Sequence, residues 1–184
     1  MSYLSRGGFL KAALICFWAL APYSASGVEG LEDQEPPVPS ETTTTCDEGT
    51  VWDDTSESCV PADAIEADQA SLYGIARELA WAGRLDDARA VLDRMEESDK
   101  RLTYLGFVER RAGNWQRAEV AYQMAISRNP GNLLARSYYG QGLVSEGDYV
   151  GARAQLTEIR LRGGRVSWPE LALRLSLESG SSQY

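Results

Sequence analysis

The chain has 184 residues, with 27 Asp and Glu against 18 Lys and Arg, a formal net charge of −9 and no histidine. That length suits one domain with tails. Without histidine the commonest general base and a principal zinc ligand are missing, and basic residues scattered behind an acidic tail exclude a phosphate-backbone partner.

Arg6 and Lys11 give the chain a positive start, Ala12 to Ala21 form an apolar run of ten, and Pro22 is followed by the small residues Ser24-Ala25-Ser26-Gly27. This order predicts a secretory signal over residues 1–26, cleaved after Ser26 or Gly27. The alternative is a membrane anchor, but a spanning helix needs about 20 apolar residues, so no stable anchor is expected once the signal is removed. Bulky Ile15 before Cys16, and apolar residues beyond it, argue against lipid attachment there. The product is expected in the periplasm, with secretion as the alternative.

Residues 27–45 hold Glu-Pro-Pro-Val-Pro and the run Thr42 to Thr45, with almost no large apolar side chain, which predicts a disordered acidic linker. From Gly27 to Ile75 there are thirteen acidic residues and no Lys or Arg, whereas Leu72 to Tyr184 carry sixteen basic against fourteen acidic residues. The acidity therefore belongs to the tail. Residues 46–67 form a small unit whose Cys46 and Cys59 are expected to pair in an oxidising compartment, two free thiols being the alternative. Val51-Trp52 followed by Asp53-Asp54 suits a short hairpin closed by that bond, worth up to about 3 kcal/mol in the chain-entropy model. The loop resembles short Cys-x-x-Gly-x-Val-Trp-Asp loops of exported proteins. Both cysteines precede the helical region, so losing the bond is expected to leave that region largely unaffected.

From Ala70 onward the apolar period becomes helical and repeats. Gly83, Gly113 and Gly147 lie 30 and 34 residues apart. Each is followed by a bulky residue (Leu85, Trp115, Tyr149), then alanine (Ala88, Ala118, Ala152), then Leu92, Tyr122 or Leu156. Ile75, Leu105 and Tyr139 precede them, with small residues Ala76, Gly106 and Gly140 directly after. Each unit reads as two helices joined by a glycine turn, with small residues where backbones cross. Ser167 with Glu170 reads as a capping box and Pro169 suits a first turn, so the last segment is expected to be a helix. The alternation of Leu171, Leu173, Leu175 and Leu177 would also suit a strand.

These positions resemble the tetratricopeptide repeat family. The middle unit, residues 99–132, carries Leu105-Gly106, Gly113-Asn114-Trp115, Ala118, Tyr122, Ala125 and Pro130. The third, residues 133–166, has Gly163-Gly164 in place of the proline, and the first, residues 68–98, is shorter by four residues. Glu109 departs from the large residue usual at its position. The resemblance implies an all-α fold of three helix hairpins stacked in a short right-handed solenoid, closed by a capping helix over residues 167–179. The expected helices are Asp68–Trp81, Leu85–Glu97, Lys100–Ala112, Trp115–Arg128, Leu133–Ser145, Tyr149–Arg162 and Trp168–Ser179.

Catalytic chemistry is not expected. Lys100 is the only lysine past the signal, no glycine-rich phosphate loop is present, and Asp86-Asp87 sit at a helix start where the macrodipole favours them. No cofactor or metal site is expected. Instead, the resemblance implies an interaction module, an adaptor or assembly factor of the cell envelope, in which the first helix of each hairpin lines a groove. Steps of three and four place Tyr73, Arg77, Ala80 and Trp81 on that face, then Thr103, Phe107, Arg110 and Arg111, then Ser137, Gln141 and Val144. Aromatic and arginine side chains are common at binding hot spots, and an extended protein segment with acidic and apolar residues is the expected partner. The alternatives are that Trp81 and Phe107 pack between helices, and that the chain associates with itself in a structural role. The acidic tail, tethered to the same domain, is expected to compete weakly for the groove in a salt-sensitive way.

Overall fold

The computed structural model describes Met1 and residues 34–182. The expected signal and the first part of the acidic linker lie outside the described residues.

Most helices begin where a side chain can accept from the otherwise unpaired N–H groups of the first turn, whereas Leu85–Arg94 and Trp115–Arg128 start directly after a glycine turn with no side-chain cap. Asp68 caps α2 (Gln69–Ala82), Ser98 caps α4 (Asp99–Arg111), Asn132 caps α6 (Leu133–Ser145) and Asp148 caps α7 (Tyr149–Leu161). Before them lie a single-turn helix α1 (Glu41–Thr44) and a hairpin of β1 (Thr50–Asp53) and β2 (Ser58–Pro61); α3 (Leu85–Arg94), α5 (Trp115–Arg128) and α8 (Trp168–Ser179) complete the order. The described residues are therefore mostly helical, with one two-stranded sheet among them.

The three glycine turns are near copies. Gly83, Gly113 and Gly147 hold φ of 86°, 81° and 81°, values open to glycine at no steric cost. In each, the residue after glycine donates back into the finished helix: Arg84 to Leu79 O (3.0 Å), Asn114 to Glu109 O (2.8 Å) and Asp148 to Leu143 O (2.8 Å). These bonds satisfy carbonyls that the helix end would leave unpaired. Gly163, at φ 83°, closes α7 the same way, with Gly164 N donating to Ile159 O at 3.0 Å. The turns pair α2 with α3, α4 with α5 and α6 with α7, while α4 packs on both α2 and α6, and α6 on α8. One core runs from Val51 in the hairpin through Leu72, Ala76, Leu79, Val91 and Leu92 to Phe107, Tyr122 and Tyr138.

Where the backbones approach, small residues make room. A Cβ on Gly106 would lie 2.6 Å from the Tyr122 ring, and one on Gly140 would lie 2.6 Å from Leu173. The second contact seats α8 on α6, so the alternating leucines belong to a helix: Leu173 is fully buried, and Leu175 faces outward.

The structure corrects four expectations. First, α3 ends at Arg94, not Glu97, because Met95 turns extended and Ser98 must be free to cap α4. Second, only half of the capping box forms. Ser167 accepts from Glu170 N, but the Glu170 carboxylate turns to Arg160 at 2.6 Å. Third, within the stretch expected to be disordered, residues 34–45 are placed against the helices, and Thr42 is buried. Fourth, the disulfide unit is not separate from the helices. Cys46 is bonded to Cys59, with the Cα atoms 5.6 Å apart, and β1 and β2 pair antiparallel. Val51, Ala62 and Ile65 of that unit are buried in the shared core. Arg84 reaches over to donate to Thr42 O (2.8 Å), Cys46 O (3.0 Å), Asp47 O (2.9 Å) and Thr50 O. Asp87 holds Arg84 at 2.6 Å and accepts from Gly49 N at 3.0 Å. The acidic pair thus does more than meet a helix dipole: Asp87 clamps the hairpin to the end of the helical stack.

Candidate functional site

The caps and turns of α2 and α4 set these two helices side by side, and a ladder of rings fills the face between them. Tyr73 meets Tyr104 edge-on at 5.5 Å, Tyr104 meets Tyr138 at 6.0 Å, Phe107 lies 4.8 Å from Tyr138, and Trp81 stacks on Phe107 at 5.7 Å. Rings at these separations attract beyond their buried area. Guanidinium groups line both ends. Arg77 lies 5.5 Å from the Tyr73 centroid, and Arg110 and Arg111 lie 5.5 Å and 5.7 Å from that of Phe107.

Six of the expected groove residues are therefore brought together: Tyr73, Arg77, Trp81, Phe107, Arg110 and Arg111. Burial then separates them. Tyr73 and Phe107 are packed inside, Trp81 and Arg110 are half-buried, and Arg111 is exposed. Arg111 donates to Ala80 O (2.6 Å) and Trp81 O (3.1 Å), closing the end of α2. Burial, and then the neighbouring Arg110 charge, hold Arg111 below the ordinary arginine range. Arg110 keeps Nε and Nη2 buried with no hydrogen-bond partner among the described residues, and so does the hydroxyl of Tyr122. Burial pushes Tyr122 up to about 12, against the opposing charge of Arg110.

The other expected residues lie elsewhere. Ala80 is fully buried. Thr103 is buried too, where it donates to Asp99 O (2.7 Å) and accepts from Asn132 (3.0 Å). Ser137, Gln141 and Val144 are covered, and Ser137 donates to Pro169 O at 2.8 Å, so this part of α6 is an internal contact with α8. Counting by three and four gave a common face, but in the third hairpin that face is the one the next helix occupies.

Residues 35–43 lie along α2. Arg77 Nη2 donates to Glu35 O at 2.7 Å. Ser40 donates to the Glu78 carboxylate from its N–H (2.8 Å) and from Oγ (2.6 Å), and Thr43 adds a third hydroxyl donor. Tail and Arg77 thus meet through a main-chain carbonyl of the tail. Glu78 was not legible as a site residue, because its partners lie 35 to 38 positions earlier in the chain. Tyr104 is also absent from the expected residues, although it sits 34 residues before Tyr138, the spacing that separates Gly113 from Gly147.

The departure at Glu109 has a local cause. Its buried carboxylate accepts from Arg89 Nε (3.0 Å) and Asn114 Nδ2 (2.9 Å), tying α3 to the turn after α4. Burial acts to lower the pKa of Arg89, but the hydrogen bond to Glu109 and its charge overcome that and leave it above the ordinary arginine value.

Among the described residues, no group of three or more Cys, Asp or Glu is placed to hold a metal ion, and no helix is long and apolar enough to cross a membrane. No protein-family model, curated protein or solved structure matches this chain.

Proposed function

We propose that this chain is an exported tetratricopeptide-like interaction module, an adaptor or assembly factor of the cell envelope, whose stacked hairpins form a short right-handed solenoid that binds an extended protein segment. The observation that carries this reading is the segment of residues 35–43 on α2, gripped by Arg77 and Glu78 through its own main chain and hydroxyls. A helix face with a donor and an acceptor set for an extended backbone is suited to peptide recognition, not to chemistry on a small molecule. The equivalence of the three glycine turns and the contacts of α4 with both α2 and α6 support the repeat reading. Export is supported by the basic, apolar, small-residue order of the first 27 residues and by a disulfide, which persists in oxidising compartments.

A second reading, a self-associating structural protein of the envelope, is favoured by apolar side chains left open near the end of the stack: Leu161 at 73% exposure, Val166 at 98% and Leu175 at 37%. Light scattering on the purified chain separates the two. A monomer across the micromolar range is the expected result. A stable homo-oligomer that dissociates when Leu161 and Leu175 are changed to serine would favour the structural role.

A further inference from the structure

We propose that the Arg77–Glu78 edge of α2 is a binding site for an extended, proline-containing peptide with a serine or threonine, and that residues Glu35–Ser40 occupy it in cis as a displaceable stand-in. This rests on the interaction-module reading and specifies the chemistry its partner must carry. Arg77 and Glu78 are each only 8% exposed although they sit mid-helix. Among the described residues, Glu78 forms no ion pair. Its acceptors are filled by Ser40 N (2.8 Å), Ser40 Oγ (2.6 Å) and Thr43 Oγ1. A carboxylate out of water needs its lone pairs saturated by donors, and here two of the three donors come from Ser40 of the segment, the third from Thr43 just behind it. Nothing else described on the helical domain uses Glu78, so its placement is accounted for only by a peptide that brings an N–H and a hydroxyl.

The two grips differ in what they read. Arg77 takes the Glu35 carbonyl, which any residue offers. Glu78 takes the Ser40 hydroxyl, which selects serine or threonine. Between them run Pro36, Pro37, Val38 and Pro39, three of which have no N–H to satisfy and a φ already fixed. Such a stretch asks little of the helix and loses little entropy on docking.

The cis segment is also built to leave. Val38, its one aliphatic side chain between the grips, is 84% exposed, so no apolar anchor is buried. Behind it the chain is held firmly: Thr42 is 2% exposed, its carbonyl accepts from Arg84 at 2.8 Å, and its hydroxyl accepts from Trp52 N at 3.3 Å. Residues Glu35–Ser40 can thus peel back as the single turn α1, which Ser40 caps, unwinds, with Thr42 as the fixed point behind it. A flexible tether supplies roughly millimolar effective concentration, which a partner that adds a buried side chain overcomes.

The test uses the full chain and a fluorescent peptide of residues 34–41, with binding read by anisotropy. The wild-type chain should bind the probe weakly, because its own segment competes. Ser40→Ala in the chain removes one charge-assisted bond from the cis contact and should tighten probe binding about tenfold. Adding Glu78→Ala should abolish that gain. A probe with alanine at the serine position should bind the Ser40→Ala chain about tenfold more weakly than the parent probe, a comparison independent of how Glu78→Ala folds. Equal binding of the parent probe to wild-type and Ser40→Ala chains, equal binding of both probes, or no binding at all would overturn the proposal. If the probe behaves as expected but no cellular protein crosslinks to this face, the peptide site stands and the module reading fails. If cellular adducts form there and ignore Ser40→Ala and Glu78→Ala, the module reading stands and this site fails.

Discussion

Gly106 and Tyr122 meet at the crossing of the second hairpin, where hydrogen alone fits: a Cβ would lie 2.6 Å from Cδ1 and Cε1 of the Tyr122 ring and 2.9 Å from Cζ, atoms of one rigid ring that cannot move singly. Gly106→Ala is therefore expected to destabilise by about 1–3 kcal/mol in urea unfolding, as overpacking does; an unchanged midpoint would contradict the packing. Val166 presents the opposite case. It holds φ 59° with its side chain 98% exposed, and a β-branched residue gains nothing there to offset a left-handed backbone. Val166→Gly is expected to raise stability by about 1 kcal/mol, read in the same experiment. Tyr122 contributes to the alkaline limit. Its folded pKa, about 12, stands above the unfolded value near 10.0. The contribution is thus fully present below pH 10 and is lost as pH rises toward 12, at about 1.4 kcal/mol per pH unit. Tyr122→Phe, which removes the titrating hydroxyl, should lose less stability than the parent chain between those values; parallel curves would refute the assignment.

At the scale of elements, the disulfide hairpin is the place where local reading fell short. Both cysteines precede the helices in sequence, which suggests independence. In three dimensions Val51, Ala62 and Ile65 complete the core that α2 and α3 leave open, and Arg84 and Asp87 lock the loop in place. Cys46→Ser with Cys59→Ser is accordingly expected to lower the melting temperature of the helical signal, by the equivalent of up to about 3 kcal/mol. An unshifted helical melt would restore the view of a detached unit. Local signals served the helices better. The starts of α3, α5, α6, α7 and α8 fall where they were read, because each follows a glycine turn or a capping side chain visible in the sequence. The end of α3 carries no glycine signal; it is set by Met95 turning extended so that Ser98 can cap α4.

For the whole molecule, periodicity shows which residues share a face of a helix, but not which neighbour covers that face. This is why Tyr73, Arg77, Trp81, Phe107, Arg110 and Arg111 were found together, while Ser137, Gln141 and Val144 proved to lie beneath α8. It is also why Glu78 was overlooked, since its role depends on a segment that no helical pattern announces. The proposed docking surface for a protein partner is the α2–α4 face. Site-specific photocrosslinking in cells tests it most directly, with the photoreactive residue at Gly74 or Lys100 on that face, and at Val120 on the outer side of α5 as the control. Adducts with another protein are expected from Gly74 and Lys100, and none in common from Val120. Adducts that arise only from Val120, or whose mass is that of two copies of this chain, would contradict it.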